Sequence, residues 1–246
     1  MSDRDPDENG WQSSAPVWVD RMAEGGDFSR RHVLDGPMMA RVQAAAPSTA
    51  LDVGCGEGRF CRMMATEGIA TTGLDPVPEM IAAARSRDPS GRYLEGFAEN
   101  LPFADAAFDL VVSYLSLIDI DDLDAAIAGM TRVLAPGGRL LVAHLNGFAT
   151  SSAALGKRRC AETGEVLRPL GRYLEDRADW FEWDGLRIRN WHRPLSRHMA
   201  AFLHANLVLT AFQEPRPTGG PSDRVRAYDD MPYLMLMEWR KPDVPA

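Results

Sequence analysis

Cysteine is scarce in this chain of 246 residues, which contains only Cys55, Cys61 and Cys160. Three irregularly spaced thiols cannot form the paired framework of a small disulfide scaffold, and their spacing matches no zinc-binding pattern. We therefore expect neither a disulfide-stabilised fold nor a cysteine-bound metal.

Long apolar runs and basic clusters are also missing. No stretch of about 18 apolar residues occurs, and the polar segment MSDRDPDENG lacks the apolar core of a signal peptide. The formal net charge is -8, and the one compact basic run covers only residues 157–159. An acidic surface repels phosphate backbones. These absences predict a cytoplasmic protein that binds neither a membrane nor nucleic acid.

The composition that is present is that of a globular protein, with 45% hydrophobic and 25% charged residues. Between residues 49 and 145, short apolar segments alternate with segments of helical periodicity. The predicted strands cover residues 49–53, 70–74, 93–96, 108–113 and 139–145. Such alternation is typical of an α/β fold with a parallel sheet and helices on both faces.

Two segments precede this alternating region. Residues 1–14 are polar and without periodicity, which predicts a flexible arm. Residues 15–46 have apolar side chains at three- and four-residue spacing, interrupted at Gly25 and Gly26, which predicts a helical cap.

The alternation fails again at residues 147–192, where aromatic side chains are interleaved with charges. We interpret this segment as an insertion that covers a site. Its aromatic residues could line an apolar pocket or form a small core of their own. Two later strands, at 207–212 and 233–239, would complete the sheet, so residues 15–246 are predicted to form a single domain.

The central motif is a glycine loop with the spacing G-x-G-x-G, formed by Gly54, Gly56 and Gly58 between a predicted strand and a predicted helix. Glycines allow a sharp turn and the close approach of a ligand. The spacing differs from the G-x-G-x-x-G loop of dinucleotide-binding proteins. Asp52 precedes the loop, and its carboxylate suits a ligand that carries an ammonium group rather than a phosphate.

Asp75 ends the second predicted strand, about 20 residues beyond the glycine loop. An acidic side chain at this position can accept hydrogen bonds from both hydroxyls of a ribose. An Asp before a proline is more often only a turn or a cap. Combined with the glycine loop, however, Asp75 predicts a nucleoside site.

Asp52, the glycine loop and Asp75 lie in the first two of four segments. These segments resemble, in order, the motifs of class I S-adenosylmethionine (SAM) dependent methyltransferases. The segments are LDVGCGEGRF, GLDPVPEM, EGFAENLPFADAAFDLVVS and RVLAPGGRLLVAHL. The tail is similar to bacterial small-molecule methyltransferases through YLEDRADWFEWDGLRIRNWHRPLS and PYLMLMEWRKP. The resemblance implies a Rossmann-like, seven-stranded, mostly parallel sheet with an antiparallel last strand, SAM as the cofactor, and a small-molecule acceptor.

By position, the resemblance also implies which residues contact SAM. Asp52 and the glycine loop would hold the methionine end, Asp75 the ribose, and the region of Phe97 the adenine. Phe97 departs from the family, in which many members have an Asp that accepts from the adenine amino group. The implied cofactor contacts are Asp52, Gly54, Cys55, Gly56, Asp75, Pro76, Phe97, Ala98, Glu99, Ser113 and Tyr114.

Methyl transfer from a sulfonium is an in-line displacement, so the enzyme mainly needs to align the acceptor and to exclude water. A general base is needed only where the nucleophile carries a proton of high pKa. The candidates are His144, at the end of the fifth predicted strand, His192, and Tyr114, at the end of the fourth. Structural roles for all three are equally open.

The acidic cluster Asp119, Asp121, Asp122 and Asp124 precedes a predicted helix. Carboxylates at a helix start cap free N–H groups and offset the helix dipole. We therefore expect no metal site. Two other functions remain open: a SAM-binding fold without methyltransferase activity, and a nicotinamide oxidoreductase, which the loop spacing disfavours. The oligomeric state is expected to be a monomer or a homodimer.

Overall fold

A computed structural model describes residues 8–23, 25–153, 155–156 and 158–243. The strands are β1 (Thr49–Val53), β2 (Ala70–Asp75), β3 (Arg92–Glu95), β4 (Phe108–Tyr114), β5 (Leu134–Leu145), β6 (Arg158–Arg159), β7 (Val166–Leu167), β8 (Arg177–Trp183), β9 (Leu186–His192), β10 (Val208–Gln213) and β11 (Leu234–Arg240). The helices are α1 (Trp11–Met22), α2 (Asp35–Ala45), α3 (Arg59–Thr66), α4 (Pro78–Arg87), α5 (Leu123–Val133), α6 (Gly147–Ala153), α7 (Leu195–His204) and α8 (Ser222–Asp229).

Seven of the strands form one sheet in the order β10-β11-β5-β4-β1-β2-β3. Strands β1 to β5 pair in parallel, whereas β11 runs antiparallel to both of its neighbours. Buried apolar clusters lie against the sheet, as parallel strands covered by helices require. The predicted Rossmann-like, seven-stranded sheet with an antiparallel last strand is confirmed.

The main departures from the sequence prediction are two element boundaries and one additional helix. Helix α1 begins at Trp11, so the ordered chain extends into the predicted arm of 1–14, of which residues 1–7 lie outside the described residues. Strand β5 begins at Leu134 rather than at 139 because Leu134 already pairs with Phe108 before a shift in register. Helix α8 was not predicted, because its sequence is polar and it buries no residue.

The predicted insertion at 147–192 consists of α6, the short β6–β7 pair and the β8–β9 hairpin. The hairpin turns at Asp184 and Gly185, both with positive φ, as a two-residue hairpin turn requires. Strand β9 contacts α1, so that the N-terminal helix and the insertion lie against each other. No helix in the described part of the chain is long and apolar enough to cross a membrane.

Candidate functional site

A cavity of about 640 Å³ lies along the edge of the sheet where the parallel strands end. Open α/β sheets bind ligands at this edge. One part, here called the glycine-loop half, lies at the ends of β1, β2 and β3 and includes Asp52, Gly54–Gly56, Asp75 and Ala98. The other part, the aromatic half, lies at the ends of β4 and β5 and at the start of β11. Its walls include Phe28, Tyr114, Leu145, Tyr228 and Tyr233.

The glycine loop is held tightly at two of its three glycines. Gly54 has a φ of 76°, and its N–H donates to the Leu74 carbonyl oxygen at 2.7 Å. A Cβ at position 54 would lie 2.3 Å from the Cβ of Ser116, and one at Gly58 would lie 2.7 Å from the Tyr93 ring. Only glycine fits at these two positions. A Cβ at Gly56, in contrast, would meet nothing closer than 4.0 Å, so this part of the loop leaves open space beside the cavity.

Asp52 lies beneath the loop and is almost completely buried. Its Oδ2 accepts a weak hydrogen bond from the Cys61 thiol, with the sulfur at 3.7 Å, whereas its buried Oδ1 has no partner among the described residues. Burial raises the pKa of this carboxyl to about 7, although the bond from Cys61 opposes the shift. An unpartnered carboxylate oxygen that lines a cavity fits a cationic ligand, such as the ammonium group of SAM.

Asp75 is positioned by two backbone groups. Its Oδ2 accepts from the Gly56 N–H at 2.9 Å, and its Oδ1 accepts from the Val77 N–H at 3.0 Å. Burial nevertheless raises the pKa of Asp75 to about 6. Each carboxylate oxygen keeps a second lone pair, so the side chain can still accept from two hydroxyl groups. This geometry fits the ribose that the sequence analysis assigned to Asp75.

The structure brings together all but one of the predicted cofactor contacts. Phe97 lines the cavity with 44% of its surface exposed, and Ala98, which also lines it, is buried. Ser113 is the exception, because it is fully buried and its Oγ lies 2.7 Å from the Oγ of Ser116. Ser116, which the sequence analysis missed, lines the cavity instead.

Tyr114 lines the aromatic half, but its hydroxyl is engaged. The phenol donates to Asp35 at 2.8 Å, and the same carboxylate pairs with Arg59 at 2.5 Å. Burial, reinforced by the negative charge of Asp35, raises the pKa of Tyr114. The phenol therefore stays protonated and anchors α2, while a catalytic role for it stays a prediction.

His192 also reaches the cavity with both ring nitrogens occupied. Its Nε2 lies 2.9 Å from the carbonyl oxygen of Tyr173, which can only accept, so Nε2 carries the hydrogen. Nδ1 then accepts from the Thr150 hydroxyl at 2.7 Å. Burial lowers the pKa of His192. The ring therefore connects α6 and the segment before β8 to the end of β9, all within the insertion.

His144 does not line the cavity as described. It is buried beside α7, where its ring lies 4.4 Å from that of His198. Burial lowers its pKa to about 3, so the imidazole is neutral. From its place at the carboxyl end of β5, His144 was predicted to face a ligand. The side chain of His144, however, extends into the core beneath α7 rather than over the cavity.

The wall that sequence reasoning missed comes from α1 and from the loop after β4. Trp11 and Trp18 of α1 line the cavity in an edge-to-face pair with centroids 5.3 Å apart. Asp119 also lines the cavity, and burial raises its pKa to about 7 although hydrogen bonds from Trp11 and Asn190 oppose the shift. The position of Asp119 just after a strand end was a usable signal, whereas no sequence pattern showed where α1 docks.

The acidic cluster after β4 has structural partners. Asp122 caps α5 by accepting from the Ala125 N–H at 2.9 Å, as predicted. Asp124 pairs with Arg197, and Asp121 accepts from the Trp191 indole at 2.7 Å. Within the described ranges, no group of three or more His, Cys, Asp or Glu side chains could hold a metal ion.

Of the aromatic residues of the insertion, three contribute to the cavity wall: Phe181, Trp183 and Trp191. Tyr173 instead stacks on Phe148, with ring centroids 5.5 Å apart. The aromatic residues of the insertion therefore divide between the cavity wall and a stacked contact within the insertion.

Comparison with known proteins places this site in a family. Residues 51–142 match a family model described as a methyltransferase domain. A malonyl-[acyl-carrier protein] O-methyltransferase from Serratia marcescens is 43% identical over 185 residues, which cover 75% of this chain and 60% of that protein. A demethylmenaquinone methyltransferase from Beutenbergia cavernae is 30% identical over 156 residues, which cover 63% of this chain and 62% of that protein. The chain thus spans less than two thirds of the length of either relative.

The fold also resembles that of a solved methyltransferase. The crystal structure of an S-adenosylmethionine dependent methyltransferase from Mesorhizobium loti matches with a TM-score of 0.71 and 25% identity, covering 82% of this chain and 96% of that one. The buried carboxylates of Asp52 and Asp75 fit the SAM that such proteins use. Together, the motifs, the sheet and the matched domain identify the chain as one that carries a class I SAM-dependent methyltransferase domain.

Proposed function

We propose that the protein transfers the methyl group of SAM to a small organic acceptor bound in the same cavity. The observation that carries this proposal is the continuity of the cavity. It joins the unpartnered oxygen of Asp52 in the glycine-loop half to the aromatic side chains beyond Tyr114. A donor and an acceptor can therefore meet without leaving the protein.

The residues of the glycine-loop half would bind and orient the cofactor. Asp52 would accept from its ammonium group, Asp75 from its ribose hydroxyls, and Phe97 would cover the adenine. When bound, SAM supplies a methyl group that its cationic sulfur already activates. Trp11 and Trp18 would exclude water from the reacting atoms, because they close the cavity from the side of α1.

A general base is not evident among the predicted candidates. Tyr114 donates to Asp35, His192 uses both ring nitrogens, and His144 lies outside the cavity wall. Alignment and desolvation therefore supply the catalysis in this proposal. O-, N- and C-methylation all remain compatible with it.

The acceptors of the relatives differ from one another. The Serratia marcescens relative is named for malonyl-[acyl-carrier protein] and the Beutenbergia cavernae relative for demethylmenaquinone. A malonyl group is small and polar, whereas a quinone precursor has an extended apolar portion. The apolar lining of the aromatic half suits that portion. The cytoplasmic location and the monomeric or homodimeric state stay predictions.

Incubation with methyl-labelled SAM and a bacterial extract tests the proposal. Label should enter the small-molecule fraction with the wild-type protein, and much more slowly with Asp52→Asn when the SAM concentration is below saturation. Purified malonyl coenzyme A provides a defined thioester acceptor for comparison. If SAM binds but no fraction gains label, the protein is a SAM-binding fold without methyltransferase activity. If NAD binds and SAM does not, the nicotinamide alternative replaces the proposal.

A further inference from the structure

The aromatic half has apolar walls drawn from opposite ends of the chain. Phe28 and Tyr228 face each other with ring centroids 5.1 Å apart, and Tyr228 and Tyr233 are also 5.1 Å apart. Leu145 and Leu234 complete this side. Such a lining favours a ligand with an aromatic or aliphatic body.

Two polar groups of this half have no hydrogen-bond partner among the described residues. Tyr233 is half-buried, and no bond to its hydroxyl occurs in the described part of the chain, although its backbone oxygen is fixed by the Asn146 N–H at 2.9 Å. Arg224 forms no ion pair with a described carboxylate, and its guanidinium lies 5.9 Å from the Phe28 ring. The Phe28 ring also packs on Tyr228, which lies next to Tyr233.

The carboxylates that reach the cavity from nearby are already paired. Asp27 accepts from Arg30 at 2.7 Å, and Asp179 accepts from Arg177 at 2.9 Å. They therefore do not neutralise Arg224.

The neutral polar groups are largely used as well. The hydroxyls of Ser29 and Tyr228 bond to each other at 2.6 Å, and Thr150 bonds to His192. A hydroxyl pair shares one hydrogen and leaves the other free to donate. Among the described residues on this side, Arg224 has no carboxylate partner and the Tyr233 hydroxyl has no hydrogen bond, so both can donate to a ligand.

The two halves therefore have opposite polarity. The glycine-loop half offers the unpartnered oxygen of Asp52 and spare lone pairs on Asp75, which suit a cation. The aromatic half offers the N–H and O–H groups of Arg224 and Tyr233. A planar guanidinium matches the two oxygens of a carboxylate, and a phenol adds a third donor.

We propose that the acceptor is a carboxylate-bearing molecule with an apolar body, recognised by Arg224 and Tyr233. The assignment rests on the proposed function, since it treats the aromatic half as the acceptor site. The carboxylate could belong to a free organic acid or to an acyl group carried on a thioester. Arg224 and Tyr233 are in either case specificity-determining residues.

Calorimetric titration with matched probes tests this assignment. The protein is titrated with and without S-adenosylhomocysteine, using naphthalene carboxylate and decanoate, their amides and the corresponding ammonium compounds. Malonyl coenzyme A tests the thioester-borne source. At least one carboxylate should bind about tenfold or more tightly than its amide, because the amide lacks the charge that Arg224 would pair. Binding only of malonyl coenzyme A would assign the carboxylate to the thioester source.

Two variants and a control sharpen the test. Arg224→Ala and Tyr233→Phe should each lower carboxylate affinity about three- to tenfold, with unchanged affinity for the amide and for S-adenosylhomocysteine. Arg226→Ala is the matched control, because Arg226 is exposed on the same helix and does not line the cavity. It should leave carboxylate binding as in the wild type.

The proposal is overturned if no carboxylate binds, if amides or ammonium compounds bind as well as carboxylates, or if Arg226→Ala has the effect of Arg224→Ala. These failures are distinct from failure of the proposed function. Binding of S-adenosylhomocysteine together with methyl transfer to a neutral acceptor would remove only the carboxylate assignment. Absence of methyl transfer to any fraction would remove the proposed function itself.

Discussion

The glycine-loop half of the cavity comes from one stretch of the chain, residues 52–99, whereas the aromatic half combines residues from Phe28 to Tyr233. In the first half, Asp52 and Asp75 lie at the carboxyl ends of β1 and β2, and the glycine loop directly follows β1. In the second, α8 and the start of β11 meet the segment before α2. Cofactor binding is therefore expected to depend on local backbone geometry, and acceptor binding on contacts between distant segments.

The largest effect is expected for Gly54→Ala. The new Cβ would lie 2.3 Å from the Cβ of Ser116, and the residue would keep a φ of 76°, which by itself costs about 1–2 kcal/mol. We expect the affinity for S-adenosylhomocysteine to fall by about two orders of magnitude in calorimetry.

The control for this change is Gly68→Ala. Gly68 has a φ of 82° but nothing within 4 Å of its added Cβ, and it lies outside the cavity. This variant should lose stability without losing cofactor affinity. Equal losses of affinity in both variants would mean that backbone strain, not the close approach to Ser116, controls the site.

Asp52→Asn should lower the affinity for the cofactor and raise the stability of the unliganded protein. Loss of a charge-assisted hydrogen bond of about 1.5–3 kcal/mol weakens binding of S-adenosylhomocysteine roughly 10- to 150-fold. The unliganded variant should nevertheless have a higher Tm at pH 8, because burial raises the pKa of Asp52 to about 7 in the folded protein. When an acidic group has a higher pKa in the folded than in the unfolded state, the protein loses stability as the pH rises from the unfolded-state pKa to the folded-state pKa.

The stability gain should therefore be absent near pH 4 and complete above pH 7. Thermal melts at both pH values check the sign. A lower Tm for Asp52→Asn at pH 8 would show that the ionised carboxylate stabilises the empty site, contrary to this account.

The pH dependence of cofactor binding follows from the same carboxylates. Because the pKa values of Asp52 and Asp75 are raised to about 7 and about 6, protons compete with the ligand as the pH falls. Affinity should decrease below pH 7, by about tenfold per unit for one competing proton. In Asp52→Asn the decrease should begin nearer pH 6. A pH-independent affinity between pH 5 and 8 would contradict the assignment of the ammonium group to Asp52.

The smallest effect is expected for Tyr114→Phe. The change removes the hydrogen bond to Asp35 and should cost about 1 kcal/mol of stability, while Phe60 keeps its edge-to-face contact with the ring. Turnover at saturating SAM should stay within about threefold of the wild type. A loss of several hundredfold with an unchanged Tm would make the Tyr114 hydroxyl a catalytic group.

The sequence predicted the glycine-loop half well because its signals are local. Three glycines in a strand-helix turn, an acid before them and a second acid at the next strand end determine the backbone and the two carboxylates. The seven-stranded sheet followed from periodicity together with the family resemblance. Ser113 is buried within β4, and Ser116 in the loop after the strand lines the cavity, so cofactor contact by Ser113 stays a prediction.

The aromatic half was not predictable in the same way, because its contacts join residues near the beginning of the chain to residues near its end. Helix α8 has no apolar stripe, so nothing in its sequence indicated that Arg224 and Tyr228 border a cavity. His144 was placed correctly on its strand. Its orientation depends on α7, whose packing the sequence did not reveal.

The polarity of the two halves is tested most directly by a crystal structure with S-adenosylhomocysteine. We expect its amino group beside Oδ1 of Asp52 and its ribose hydroxyls beside Asp75, with the space next to Tyr233 and Arg224 left free. Adenine or ribose bound between Phe28 and Tyr233, with Asp52 still unpartnered, would contradict the account.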